Sequence, residues 1–296
     1  MMIPANISKQ IPSYPPFLAS ELGEVNPDQA LFHVIPVPYE KTVTYGTGTA
    51  GGPSAILAAS QQLELYDGFG VPAEKGIYTE APHHCSGLPE PVLESLAGRV
   101  AAIVAQKKIP VVLGGEHTVT AGALMGVARV LGSIGVIQFD AHADLRNGYE
   151  GSRYNHACTM RRVLDQGHEL FQMGVRSLSL EEVQYRRAQA IGHVDALDIY
   201  RWGIPETILP EDFPQDIYIT IDVDCLDPSI MPSTGTPEPG GLTWYQMIDV
   251  LEKICDRRRV VGFDIVELAP IPGFHAPDFT IARLIYQLMG LLPIKN

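Results

Sequence analysis

The sequence predicts an α/β fold with a parallel sheet sandwiched by helices. Two observations carry this. Short β-rich apolar runs alternate with longer helical patterns along the chain, which is the order of a βα-repeating fold. The apolar runs are continuous, as in Ile-Pro-Val-Val-Leu from Ile109 and Ile-Gly-Val-Ile-Gln-Phe from Ile134. Such runs suit strands buried on both faces, because helices cover both sides of a parallel sheet.

The expected strands are Leu31–Ile35, Ile109–Leu113, Ile134–Phe139, Leu170–Val175, Ile217–Ile221 and Val260–Ile265. The expected helices are Pro91–Lys107, Thr118–Leu131, Ala157–Gln166, Leu180–Ile191, Thr243–Asp256 and Asp278–Leu292. Two helices carry start signals. Ser179 is followed three residues on by Glu182, and Thr243 by Gln246, each the pattern of a capping box.

Composition bounds the function. The chain has 296 residues, with 21 Lys plus Arg against 34 Asp plus Glu, a formal net charge of −13. Hydrophobic residues at 46 % and charged residues at 19 % exclude wholesale disorder. The acidic balance argues against nucleic acid and anionic membrane as main partners. No repeat or linker divides the chain, so one domain over 1–296 is expected, with 1–30 as an N-terminal extension packing on it. Cys85, Cys158, Cys225 and Cys255 form no C-x-x-C pair and no disulfide framework. The N-terminus lacks the basic and apolar regions of a secretory signal, and the apolar stretch Ile281–Ile294 is too short to span a bilayer. A cytoplasmic location is the expectation.

Ligands of open α/β sheets gather at the carboxyl ends of the strands, and the chemistry-bearing residues of this chain follow its strands. Leu113 runs into Gly114-Gly115-Glu116-His117, Phe139 into Asp140-Ala141-His142-Ala143-Asp144, Ile221 into Asp222-Val223-Asp224, and Phe263 into Asp264 and then Glu267. Alternate residues of extended backbone share a side, so Asp140, His142 and Asp144 converge, as do Asp222 and Asp224. A single Asp after a strand is usually a cap or loop residue. Four carboxylates together repel one another, and about two dications would balance them. Oxygen-rich donors with imidazole and no thiolate favour manganese or a similar ion. Cys158 and Cys225, although near these motifs, read as small buried hydrophobes. His83-His84-Cys85 and His275 read as loop residues.

These motifs, with Asp227-Pro228 and the run from Pro232 to Gly241, resemble the three signatures of the ureohydrolases, the family of arginase, agmatinase, formiminoglutamase and guanidinobutyrase. The resemblance runs from Pro36-Val37-Pro38-Tyr39 to the last helix. It implies a three-layer αβα sandwich with a mainly parallel sheet, arginase/deacetylase-like. It also implies two Mn²⁺ per subunit. One would be held by His117, Asp140, Asp144 and Asp222, the other by Asp140, His142, Asp222 and Asp224. The implied reaction is attack of a metal-bridging hydroxide on a guanidinium carbon, with Glu267 holding the guanidinium and His156 moving protons or contacting substrate.

The stretch from Leu145 to Asn155 and the segment from Pro38 to Gly48 resemble the agmatinase branch, which implies agmatine plus water giving putrescine and urea. Asn147 and Glu150 are expected to contact substrate. Asn147-Gly148 departs from the acidic residues expected there, and Arg146 and Arg153 leave room for a carboxylate substrate such as 4-guanidinobutanoate. Guanidinobutyrase, arginase, a non-catalytic relative and a one-metal deacetylase-type hydrolase are the alternatives. The resemblance further implies a homotrimer or homohexamer whose small-molecule partner is a cationic guanidino compound.

Overall fold

The computed structural model describes residues 15–293. Residues 1–14 of the expected N-terminal extension, and Ile294 at the end of the late apolar stretch, lie outside them. The strands are β1 (Phe32–Val37), β2 (Ile77–Thr79), β3 (Ile109–Gly114), β4 (Gly135–Phe139), β5 (Glu169–Met173), β6 (Gly192–Val194), β7 (Asp216–Asp222) and β8 (Arg259–Val266). They form one sheet in the order β2-β1-β3-β8-β7-β4-β5-β6. Every neighbouring pair is parallel.

The α-helices are α1 (Ala19–Leu22), α2 (Gly52–Ser60), α3 (Pro89–Ala105), α4 (Val119–Leu131), α5 (Thr159–Asp165), α6 (Leu180–Ala188), α7 (Ala196–Trp202), α8 (Trp244–Cys255) and α9 (Ala276–Leu291). The side chains of β4 show how they form two layers. Ile137 and Phe139 enter one apolar cluster with residues of α2, α8 and α9. Val136, one position away, enters the other with residues of α3, α4 and α5. The two-residue period of a strand thus sends alternate side chains into opposite cores.

α3 buries Val92, Leu93, Leu96, Ala97, Val100, Ile103 and Val104, the stripe of an amphipathic helix. It packs closely on α4, where a Cβ on Gly126 would stand 2.5 Å from the Ala97 carbonyl oxygen. Both expected capping boxes form, at Ser179–Glu182 and Thr243–Gln246.

All six expected strands and all six expected helices are present, with shifted ends. Pro36 lies within β1. The expected helix from Ala157 starts as a 3₁₀ turn, His156–Cys158. The short edge strands β2 and β6 and the helices α1, α2 and α7 were not foreseen. Three residues are too few for a readable period. In the N-terminal segment, the Phe17 and Leu18 amides donate to Thr79 Oγ1 and Ser60 Oγ, so this part packs on the sheet and α2.

Consecutive strands β3 and β4 are separated by β8 and β7. The strand order reverses around this central group, which is where a crevice opens in such sheets. Its four carboxyl ends carry the four chemistry-bearing segments.

Candidate metal centre

His117 follows β3 through Gly114-Gly115. A Cβ on Gly115 would stand 2.0 Å from the Tyr39 carbonyl oxygen, so only glycine passes here. The His117 ring is fully buried. Its Nε2 lies 2.9 Å from Thr220 Oγ1, and Thr220 donates to Asp264 Oδ1 at 2.6 Å. Its Nδ1 faces Asp144 at 3.1 Å, Asp140 at 3.2 Å and Asp222 at 3.5 Å. That atom makes no hydrogen bond of acceptable geometry. His142 Nδ1 lies 3.0 Å from Asp224 Oδ2 and 3.5 Å from Asp140 Oδ1.

Most of the carboxylates spend one oxygen on the backbone and turn another toward this centre. Asp140 Oδ1 accepts from the His142 amide at 2.6 Å, Asp222 Oδ1 from the Asp224 amide at 2.9 Å, and Asp224 Oδ1 from the Ala141 amide at 2.9 Å. Gln138 Nε2 donates to Asp140 Oδ2 at 2.7 Å. Asp144 takes a left-handed backbone, φ 53°. Such strain persists where surrounding structure enforces it.

The donors fall into two groups that could each hold a cation, His117-Asp140-Asp144 and Asp140-His142-Asp224, with Asp140 common to both. Electrostatics point the same way. Burial, and then the charge of Asp140, push Asp144 up to about 7. Burial and the neighbouring Asp224 and Asp140 push Asp222 well up. Burial pulls His142 down, but Asp140 and Asp224 outweigh it and raise the imidazole to about 12. These shifts favour extra protons on the site where no cation balances its charge. Divalent ions would displace those protons, as metal binding to imidazole and carboxylate generally does. A buried, unsatisfied imidazole nitrogen aimed at three carboxylates fits a metal ligand.

A cavity of about 320 Å³ opens beside this cluster, lined by His142, Asp144, Asp222, His156 and Glu267 among others. Glu267, also left-handed at φ 65°, is buried, and its Oε1 accepts from the His117 amide at 2.7 Å. Burial raises its carboxyl well above the usual range. His156 is half-buried, and desolvation lowers its imidazole.

The expected substrate contacts Asn147 and Glu150 do not line this cavity. Asn147 Oδ1 accepts from buried Arg162 at 3.1 Å, which turns it away. Glu150 sits exposed in a tight turn at φ 47°. The same loop reaches the cavity through Arg146 and Tyr149, the guanidinium lying 4.8 Å from the ring centroid. Arg153 pairs with Asp165 on the surface instead. Two residues that sequence reasoning did not single out lie behind His156. Thr42 Oγ1 accepts from the His156 amide at 3.1 Å and donates to buried Glu116 at 2.7 Å, and the acid between Gly115 and His117 was the available signal.

The class follows from the fold and from known proteins. The arginase family model matches residues 30–290. The chain is 38 % identical over 286 residues to an N(1)-aminopropylagmatine ureohydrolase of Synechocystis sp., covering 93 % of this chain and 92 % of that one. It is 32 % identical to an agmatinase of Pyrococcus horikoshii, covering 92 % and 95 %. The crystal structure of an agmatine ureohydrolase of Thermoplasma volcanium superposes with a TM-score of 0.85 at 30 % identity over 95 % of each chain. The chain belongs to the arginase family. Within it, the chain is a hydrolase of the agmatinase type. No helix among the described residues is long and apolar enough to cross a membrane.

Proposed function

We propose that the protein hydrolyses the guanidinium group of agmatine or an N1-substituted agmatine, releasing urea and a polyamine, with two Mn²⁺ held by His117, Asp140, His142, Asp144, Asp222 and Asp224. The observation that carries this reading is Asp140, shared between two His/Asp groups beside a cavity that also holds Glu267 and His156. Bound dications would acidify water enough to supply a nucleophile at neutral pH.

The chain's own residues supply the rest. Glu267, an acceptor held by the His117 amide, would hold and orient the planar cationic guanidinium, fixing its carbon for attack. A cation entering beside it favours the ionised carboxylate that burial alone disfavours. His156 would move a proton toward the departing amine, the work of an imidazole near neutrality.

An aminopropyl extension on the substrate is favoured by a specific observation. Curated relatives from Synechocystis, Thermus thermophilus and Thermococcus kodakarensis, at 33–38 % identity, carry the name N(1)-aminopropylagmatine ureohydrolase. Arg146 lining the cavity is the residue that would instead welcome a carboxylate tail. Glu182, with its carboxylate 4.0 Å from Arg146 Nε, offsets that charge.

The test is urea release after manganese loading, with N1-aminopropylagmatine, agmatine, 4-guanidinobutanoate and arginine compared by kcat/KM. The first two should lead. Preference for arginine or 4-guanidinobutanoate by orders of magnitude would overturn the substrate assignment, and no urea from any of them would overturn the reaction.

A further inference from the structure

We propose that Thr42, anchored by Glu116, is a positioning residue that fixes the tautomer of His156, so that Nδ1 carries the proton and Nε2 presents its lone pair to the cavity. This rests on the ureohydrolase reading of the cavity and adds how the chain prepares one of its imidazoles.

The inference follows from counting hydrogens. Glu116 is fully buried after β3, and four donors converge on it. The amides of Lys41 and Thr42 donate to Oε2, the second at 2.6 Å, and the hydroxyls of Thr42 and Thr118 donate to Oε1, each at 2.7 Å. The two backbone amides can only donate, and the two hydroxyls donate to the remaining oxygen. A threonine hydroxyl has one hydrogen and two acceptor positions. The hydrogen of Thr42 goes to Glu116, so toward all other partners Thr42 Oγ1 can only accept.

Two groups of His156 meet that oxygen. The His156 amide donates to it at 3.1 Å, and Nδ1 lies 3.4 Å away. With its hydrogen turned to Glu116, Thr42 Oγ1 can meet Nδ1 only as an acceptor, which favours the proton on Nδ1. A neutral imidazole carries one N–H, so Nε2 is then the acceptor. His156 lines the cavity, and Nδ1 is taken up by Thr42, which leaves Nε2 for the substrate.

The consequence is a directional proton path. Nε2 can take the hydroxyl proton of the tetrahedral adduct and hand it to the departing amine nitrogen, so that the C–N bond breaks to give urea and the free amine. Nδ1–H stays with Thr42 throughout, so the ring neither flips nor loses its orientation. Thr42 and Glu116 are far from His156 in sequence, separated by 114 positions in the first case. They meet because the loop after β1 crosses the carboxyl end of β3.

The experiment combines kinetics with a spectroscopic readout. In histidine-labelled, manganese-free protein, ¹⁵N spectra assigned through His156→Asn should show His156 as the Nδ1–H form. Thr42→Val should shift it toward the Nε2–H form and Thr42→Ser should restore it. Glu116→Gln, whose amide can donate to Thr42 and free the hydroxyl hydrogen, should shift it in the same direction. In manganese-loaded enzyme, Thr42→Val should lower kcat about tenfold or more, with KM changed less than about threefold. In a His156→Asn background, Thr42→Val should cost nothing further, since coupled residues are non-additive.

An Nε2–H imidazole in the parent overturns the inference. So does a Thr42→Val loss that multiplies with that of His156→Asn, which would mark a structural role for the loop. A parent that releases no urea removes the ureohydrolase reading and leaves the tautomer result to stand alone.

Discussion

Asp140 stands between two imidazoles. Its Oδ2 lies 3.2 Å from Nδ1 of His117 and its Oδ1 lies 3.5 Å from Nδ1 of His142. One carboxylate therefore belongs to two donor groups. Asp140→Ala should empty both metal positions, whereas His142→Ala should empty one and leave the His117 group able to retain an ion. Metal analysis of the dialysed variants checks this. Full metal content in Asp140→Ala would contradict the shared-ligand assignment.

Glu267 offers a carboxylate to the cavity, held by the His117 amide. Glu267→Gln keeps shape and removes charge, so metal content should stay as in the parent. The guanidinium loses its anionic partner, and kcat/KM should fall by at least about 100-fold, or ~2.7 kcal/mol. Turnover equal to the parent's would sink the proposed clamp.

The metal-free protein should become less stable as pH rises. Asp144 moves from an ordinary value near 3.9 to about 7 in the folded chain. The native state then binds more protons than the unfolded state across that interval, so stability declines as pH climbs through it. His142, raised to about 12 by Asp140 and Asp224 against the opposing effect of burial, acts in the same sense above its ordinary value near 6.5. Asp140 is depressed despite burial, through its contacts with His117 and His142, and opposes this only toward strong acid. Thermal melts at pH 5 and pH 8, with and without Mn²⁺, should show a gap that widens at the higher pH. An equal gap at both would refute the charge account.

Lys75 closes the far end of α9. Its ammonium donates to the carbonyls of Met289 at 2.9 Å, Gly290 at 2.8 Å and Leu292 at 2.6 Å. These are helix-end oxygens that have no partner within the helix. Lys75→Met should cost about 2 kcal/mol, the scale of a charged hydrogen-bonding group, while leaving metal content unchanged. Denaturant unfolding gives the first quantity, and an unaltered midpoint would show the anchor to be idle.

Long elements were legible because their signals are local. α8 shows its capping box at Thr243–Gln246 and a buried stripe from Met247 to Cys255. β4 and β7 show continuous apolar runs. β2 and β6 were not legible, since three residues at a sheet edge carry too little pattern. The same limit applied to the loop from Leu145 to Asn155. Asn147 and Glu150 were expected to contact substrate there, but their direction depends on Arg162 and on a left-handed turn. Arg146 and Tyr149 face the cavity in their place.

The sequence by itself determined which chemistry each strand end carries. The residue types that follow each buried strand are written in the chain at Asp140-His142-Asp144 and Asp222-Asp224, but extended backbone is not what makes them converge, since Asp144 turns left-handed and Asp224 lies in the 3₁₀ turn Val223–Cys225. Only the tertiary structure decided that these ends meet. The order β3-β8-β7-β4 sets His117 and Glu267, 150 positions apart, within one hydrogen bond. It also holds Glu267 in left-handed backbone that no local preference would select. Strand neighbours are chosen by packing two cores at once, a choice that depends on the whole chain rather than on any one segment.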